Sequence, residues 1–225
     1  MITLDKPSVP VAASAIFAFA IFLMCNEANA LETFQGKATI GASIPREAIT
    51  AAQQGLQRFL KSITAEELGG FNFSSQEEMN EAILGEPIRV YIIKPESVGN
   101  FMSYGSMYDF ISPTGRIYFP VLTKGVTRTF LYVELEEDKW EAIGLGSSGL
   151  AIEWESLIKK WPSTQGYKHM FIEALDFTFV AIEIHPGGEK QTNTLFIKLG
   201  CNDNKLCDMP EFVNNLQTIY KCLGY

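Results

Sequence analysis

Apolar residues at helical spacing, together with helix-capping residues, predict four helices in the chain. The pattern places them over residues 45–63, 74–84, 148–161 and 209–221. Ser74 and Glu77 have the spacing of a capping box at the start of the second helix. Pro162 ends the third helix because proline cannot continue one, and Asp208 is a suitable N-terminal cap for the fourth.

Seven other segments have the composition of β-strands. They cover residues 88–93, 116–123, 126–135, 139–143, 168–175, 177–184 and 192–199. Several of them are apolar at successive positions, which is typical of strands that are covered on both faces. The pattern therefore predicts an α+β fold, with mainly antiparallel sheet or sheets of about seven strands flanked by four to five helices.

The order strand, strand, strand, helix occurs twice along the chain. It occupies residues 116–161 and then residues 168–221. This order predicts a βββα pseudo-repeat, in which two similar halves are built around one sheet or two. If the chain has such halves, we expect a cleft at their junction, near residues 161–168.

Residues 1–30 have the three parts of a secretory signal peptide. A short polar start that contains Lys6 precedes an uncharged apolar run, residues 11–25. Ala28-Asn29-Ala30 then supplies the small residues that signal peptidase recognises, with cleavage before Leu31. The apolar run is too short as a helix to cross the roughly 30 Å hydrocarbon core of a bilayer.

The signal peptide predicts a periplasmic or secreted protein with no transmembrane segment in its mature part. An anchoring helix and a lipoprotein modified at Cys25 remain as alternative interpretations of the same segment. Residues 31–44 are expected to form a flexible arm, and residues 45–225 a single globular domain.

The chain is acidic, with 18 Lys and Arg residues against 26 Asp and Glu residues and a formal net charge of −8. It contains no basic run, so it has little electrostatic reason to bind nucleic acid or an anionic membrane surface. The most plausible macromolecular partner is therefore another exported or envelope protein.

Three cysteines remain after the predicted cleavage: Cys201, Cys207 and Cys222. In an oxidising compartment they predict one disulfide and one further thiol. The predicted last helix would hold Cys207 and Cys222 about 20 Å apart, well beyond the separation that a disulfide bridges. Cys201–Cys207 is the favoured pair, and Cys201–Cys222 remains open.

Residues 144–149 read G-x-G-x-x-G between a strand and a helix, as in dinucleotide-binding proteins. The preceding strand, residues 139–143, is short and polar, whereas the strand of a true fingerprint is buried and parallel. We therefore interpret the motif as a glycine-rich turn and predict no cofactor.

Catalytic motifs are also missing from the sequence. The two histidines, His169 and His185, have no metal-ligand spacing, and no G-x-S-x-G motif is present. We therefore predict no metal ligands and no catalytic residues. A hydrolase that uses a serine or cysteine with His169 or His185 remains an alternative, because triad partners need no fixed spacing.

One aromatic segment, which is expected to be partly helical, is the best candidate for a binding surface. Its candidate contact residues are Phe101, Tyr104, Met107, Tyr108 and Phe110. Aromatic and methionine side chains give large and adaptable contact areas. The sequence thus favours a non-catalytic binding or envelope accessory module, with a hydrolase or a self-assembling structural component as the alternatives.

Overall fold

A computed structural model of the chain describes residues 43–93, 98, 107–109, 111–175, 177–184, 193–199 and 206–222. These residues all belong to one unit, Ile40–Tyr225. Several sequence predictions fall on residues outside the described ones. They are the signal peptide, residues 31–42 of the arm, Phe101, Tyr104, Phe110, His185 and Cys201.

Four α-helices form close to their predicted positions. They are α1 (Arg46–Ser62), α2 (Gln76–Asn80), α3 (Ser148–Lys160) and α4 (Met209–Cys222). The predicted cap of α4 is present, because the backbone N–H of Glu211 donates to Oδ1 of Asp208 at 2.9 Å. None of the helices in the described part of the chain is long and apolar enough to cross a membrane.

The capping box of α2 is shifted by one residue from its predicted position. Ser75, not Ser74, caps the helix by accepting the N–H of Glu78 at 3.2 Å. The carboxylate of Glu78 in turn accepts from both the N–H and the hydroxyl of Ser74. The shift points Glu78 and Met79 inward and leaves Glu77 exposed. The helix also ends at Asn80, because residues 83–84 pair as a strand instead.

The strands form one nine-stranded sheet. They are β1 (Ile83–Leu84), β2 (Ile88–Ile93), β3 (Ile111–Thr123), β4 (Val126–Glu136), β5 (Lys139–Gly146), β6 (Lys168–Ala174), β7 (Phe177–Ile184), β8 (Asn193–Lys198) and β9 (Leu206–Cys207). Their order is β5-β4-β3-β2-β6-β7-β8-β9, and β1 pairs with β3 outside this path. The predicted α+β class with a mainly antiparallel sheet is confirmed. The two-residue strands β1 and β9 were not predicted.

Helices cover both faces of the sheet. On one face, α1 packs through Leu56 against a cluster that contains Ile117 of β3, while the next residue, Tyr118, packs on the opposite cluster with Trp154 of α3. In β8, Ile197 belongs to the α3 cluster, and its neighbour Phe196 stacks on a ring from α4. The alternation explains why the strand sequences are apolar at successive positions.

The sheet consists of two antiparallel meanders that meet at a parallel pair. Strands β2 to β5 follow one another in the first meander, and β6 to β9 in the second. At the junction β2 and β6 run parallel, with Val90 opposite Phe171. The first residues of β2 and β6 therefore lie side by side at the same end of the sheet.

The glycine-rich motif belongs to an antiparallel strand. Gly144 and Gly146 are part of β5, where they pair with Tyr132 and Phe130 of β4. A dinucleotide fingerprint requires a parallel strand before its helix, and β5 is antiparallel. The prediction of a turn was wrong for Gly144 and Gly146, because pairing with β4 extends the strand beyond residue 143.

Candidate functional site

A cavity of about 490 Å³ lies where β2 and β6 begin. It includes residues on both sides of the segment 161–168, namely Trp154 of α3 and His169 of β6. Most of the remaining wall is apolar or aromatic. These lining residues are Ile44, Pro87, Ile88, Tyr91, Pro120, Leu122, Ile158, Tyr167 and Met170.

His169 is the imidazole in the cavity wall. Its ring meets the indole of Trp154 edge-on, with the centroids 5.3 Å apart. Burial lowers the pKa of His169 below its ordinary value of 6.5. A hydrogen bond to the backbone of Trp161 and the negative charge of Glu86 act in the opposite direction but do not cancel the effect of burial. Burial therefore favours the neutral form of the imidazole.

Each ring nitrogen of His169 can donate or accept a hydrogen bond, depending on the tautomer. Nε2 is buried and has no hydrogen-bond partner among the described residues. This nitrogen is therefore a buried polar atom whose hydrogen-bonding capacity is unused within the described residues.

Thr127 contributes a second polar atom of this kind to the wall. The side chain is 3 % exposed, and its backbone N–H donates to Glu155 at 2.9 Å. Its hydroxyl oxygen, however, is buried without a partner in the described part of the chain. A buried polar group without a hydrogen bond costs about 1–3 kcal/mol, and two such groups in one cavity wall are therefore unusual.

A charged group lies at the β2 and β7 side of the cavity. Glu183 is 2 % exposed, and Tyr91 is also buried. Burial raises the pKa of Tyr91, while the positive charge of Arg89 lowers it and the negative charge of Glu183 raises it again. Arg89 and Glu183 are thus both close enough to act on the same phenol, and their opposite charges offset each other there.

The contacts of His169 give no support to the hydrolase hypothesis. In the described residues, neither ring nitrogen of His169 is hydrogen-bonded to a serine or a cysteine. The described part of the chain also contains no group of His, Cys, Asp or Glu residues that could hold a metal ion.

The predicted binding surface and disulfide are described only in part. Met107 is 2 % exposed, so this side chain is part of the interior, and Tyr108 is half-buried. Cys207 lies in β9 with its sulfur 3.6 Å from the carbonyl oxygen of Phe196. Since Cys201 lies outside the described residues, the Cys201–Cys207 pair stays a prediction.

A buried ion pair beside α2 has a structural role. Oε1 of Glu78 lies 2.5 Å from Nη2 of Arg128 and accepts the hydroxyl of Thr123 at 2.9 Å. Hydrogen bonds from Ser74, followed by those from Thr123 and the charge of Arg128, lower the pKa of Glu78 to about 2. The carboxylate is fully hydrogen-bonded within the protein, which leaves it little capacity for a ligand.

A second polar network lies on the sheet and is also internally satisfied. Arg116 binds Glu134 through Nε at 2.9 Å and Glu173 through Nη1 at 3.1 Å. The hydroxyl of Tyr118 donates to the other oxygen of Glu173 at 2.8 Å. The cavity differs from both networks because Nε2 of His169 and Oγ1 of Thr127 have no hydrogen-bond partner within the described part of the chain.

The sequence identified His169 but not the residues around it. Trp154 falls within the predicted helix 148–161, and none of Trp154, Thr127 and Tyr91 belongs to a motif. They come together because β2 pairs with β6 across a long stretch of chain, which no local spacing reveals. An acidic residue near the end of an apolar strand, Glu183 in F-T-F-V-A-I-E-I, was the one available signal.

Comparison with known proteins adds no functional information. No protein-family model, curated protein sequence or solved structure matches the chain. The functional argument therefore depends on the cavity and on the side chains that line it.

Proposed function

We propose that the protein is an exported binding module that takes a small molecule into the cavity between the first residues of β2 and β6. One observation carries this proposal. Among the described residues, Nε2 of His169 and Oγ1 of Thr127 are buried without hydrogen-bond partners, and both residues line the same cavity. A ligand that hydrogen-bonds to them would remove the cost of leaving them unsatisfied.

The size and lining of the cavity support a small-molecule site. A volume of about 490 Å³ lies within the range of roughly 300–1,000 Å³ that is typical of ligand sites. Such sites combine apolar and aromatic walls with a few polar groups, as this cavity does. The ligand would be held mainly by apolar contact and oriented by the polar atoms.

Export and internal symmetry are parts of the same proposal. The predicted signal peptide supports a periplasmic or secreted location, where another exported or envelope protein is the expected partner. The succession of two meanders, each followed by a helix, supports two similar halves over residues 116–161 and 168–221. In that arrangement the ligand site lies at the junction of the halves.

The test is native mass spectrometry of the protein recovered from the exported fraction. We expect a bound small-molecule mass on the wild-type protein. Ile158→Trp should abolish it, because Ile158 of α3 lines the cavity and the larger ring would fill the space. Ile152→Trp is the matched control, since this residue is on the same helix, 62 % exposed and not part of this cavity.

Two outcomes would contradict the proposal. Retention of the ligand by Ile158→Trp would place it elsewhere on the protein. A dimer mass with no small molecule bound would favour the self-assembling alternative.

A further inference from the structure

We propose that the ligand of the cavity is an elongated molecule, an apolar chain with a hydrogen-bonding group at each end, and that one end binds Thr127 while the other binds His169. The inference rests on the proposed function, because it specifies the shape and class of the small molecule that the cavity binds. Its support is the position of the two residues in the sheet, together with the apolar wall between them.

His169 and Thr127 line the same cavity from strands that are not neighbours. His169 belongs to β6 and Thr127 to β4, and both β2 and β3 lie between these strands. Neighbouring strands are about 4.8 Å apart, so the two backbones are separated by about 14 Å across the sheet.

The two residues also lie at different levels along the strands. Ile88, the first residue of β2, is level with His169 and pairs with Tyr118 of β3. Thr127 pairs instead with Leu122, which is further along β3 by about 13 Å at the rise of a strand. Together with the distance across the sheet, this offset places the two backbones about 19 Å apart.

A single polar atom of a ligand therefore cannot reach both residues. Bond lengths of about 1.5 Å limit the combined reach of a histidine and a threonine side chain to roughly 7 Å. At the strand spacing given above, at least about 10 Å remains between Nε2 of His169 and Oγ1 of Thr127. One ligand atom with a hydrogen bond of about 3 Å on each side spans only about 6 Å. Each buried atom thus needs a ligand group of its own.

The wall between the two polar atoms is apolar and the space is narrow. Ile88 of β2, Leu122 and Pro120 of β3 and Ile158 of α3 belong to the lining. A volume of about 490 Å³ distributed along about 19 Å has a mean cross-section of roughly 25 Å², which is about one strand spacing in width. These dimensions favour a linear apolar chain over a bulky ring system.

Consecutive residues of α3 contact the two ends of this space. The ring of Trp154 lies 5.3 Å from the ring of His169, measured between centroids. The carboxylate of Glu155 accepts the backbone N–H of Thr127 at 2.9 Å. One helix therefore holds both ends, which fixes the separation that the ligand has to match.

Two isomers of octanediol test the inference. The hydroxyls of 1,8-octanediol are about 11 Å apart when the chain is extended, whereas 1,2-octanediol carries both at one end. The isomers contain the same atoms and no charge, and each hydroxyl can donate or accept a hydrogen bond. The comparison therefore depends on the separation of the polar groups and not on the tautomer of His169. Ligand-detected NMR titrations of the full exported protein at pH 7.5 measure both dissociation constants.

We expect 1,8-octanediol to bind about tenfold more tightly than 1,2-octanediol, because only the 1,8 isomer forms hydrogen bonds to both buried atoms. Thr127→Val keeps the shape of the side chain but removes the hydroxyl, so the preference should disappear. His169→Phe should abolish it in the same way. Thr178→Val in β7 is the matched control, since Thr178 does not line this cavity and the preference should remain. The comparison of isomers on the wild-type protein stays decisive if a variant fails to fold.

The outcomes separate this inference from the proposed function. Equal affinities of the two isomers would overturn the elongated ligand, and their loss in Ile158→Trp would keep the cavity as a ligand site. A preference that survives both Thr127→Val and His169→Phe would also overturn the inference, because other atoms would then hold the ends. If neither isomer binds, the inference fails, and native mass spectrometry of the wild-type protein decides whether the proposed function fails with it.

Discussion

Glu78 shows what one buried carboxylate contributes to this fold. Its two oxygens accept hydrogen bonds from Ser74 and Thr123 and pair with Arg128. These contacts connect the start of α2 to β3 and β4. Because every lone pair faces a donor, loss of the charge leaves several donors with a weaker acceptor.

Glu78→Gln is expected to lower the free energy of unfolding by roughly 2 kcal/mol, since hydrogen bonds to a charged group are worth about 1.5–3 kcal/mol. Urea denaturation monitored by circular dichroism measures the change. Glu77→Gln is the control, because Glu77 is exposed in the same helix and its loss should change stability by less than about 0.5 kcal/mol. Equal effects of the two substitutions would show that the buried contacts add nothing.

Acid should destabilise the protein through Glu78 within a defined range. The pKa of Glu78 is about 2 in the folded protein against an ordinary value of 4.5. A lowered carboxyl pKa stabilises the fold above pH 4.5, and this contribution is lost as the pH falls from 4.5 towards about 2. Urea midpoints measured across this range should fall steeply for the wild type and less steeply for Glu78→Gln.

His169 should add a separate loss of stability at milder acidity. Burial lowers its pKa below 6.5, so the unfolded chain takes up this proton more readily than the folded one. The stability is complete above pH 6.5 and decreases as the pH falls below that value. In His169→Phe the midpoints between pH 7 and pH 5 should become flatter, and an unchanged slope there would contradict the burial of this imidazole.

At the scale of the elements, the close contact between α1 and β5 depends on a glycine. A Cβ placed on Gly55 would lie 2.1 Å from Cβ of Ala142, which no packed structure tolerates without movement. The guanidinium of Arg58, one turn further along α1, donates to the carbonyl oxygen of Ala142 and fixes the same contact. The helix therefore cannot simply move away from the strand.

Gly55→Ala should destabilise the protein by about 2 kcal/mol, although alanine favours helices by about 1 kcal/mol over glycine. Gly149→Ala in α3 is the control, because nothing lies within 4 Å of its added Cβ, and it should be neutral or stabilising. The double substitution Gly55→Ala with Ala142→Gly should restore part of the loss. Thermal unfolding compares all four proteins, and a neutral Gly55→Ala would contradict the close packing.

The elements with strong local patterns could be predicted from the sequence. The apolar periodicity predicted the bounds of α1 almost to the residue, and the strand composition predicted those of β7 equally closely. The shift of the α2 cap could not be predicted, since two consecutive serines each precede a glutamate by three positions. Only the burial of Glu78 against β3 and β4 selects Ser75, and this is a tertiary effect.

The site could be predicted only in part for a similar reason. His169 was a candidate because the chain has few histidines, and a cleft near residues 161–168 was expected from the order of the elements. Thr127 and Tyr91 are ordinary strand residues in the sequence. They line the cavity through the pairing of β4 with β3 and of β2 with β6, and pairing between separate segments leaves no periodic signal.

At the scale of the whole molecule, the predicted signal peptide leads to a test of export and cleavage. Expression of the full chain in a secreting host should yield an exported protein whose first residue is Leu31, because signal peptidase cleaves after the small residues that precede it. N-terminal sequencing and the intact mass measure this. Ala28→Lys with Ala30→Lys should block cleavage, whereas Asn29→Lys leaves both small positions intact and should be processed. An uncleaved wild-type chain in the membrane fraction would support an anchoring helix instead.

The parallel pair at the centre of the sheet also sets the order in which the molecule can assemble. Hairpins of neighbouring strands close short loops, and they form quickly within each meander. The pairing of Val90 with Phe171 joins distant parts of the chain and must wait until β6 has been made. A chain that is translocated from its N-terminus can therefore fold its first meander early, but the cavity where β2 and β6 begin forms only at the end of folding.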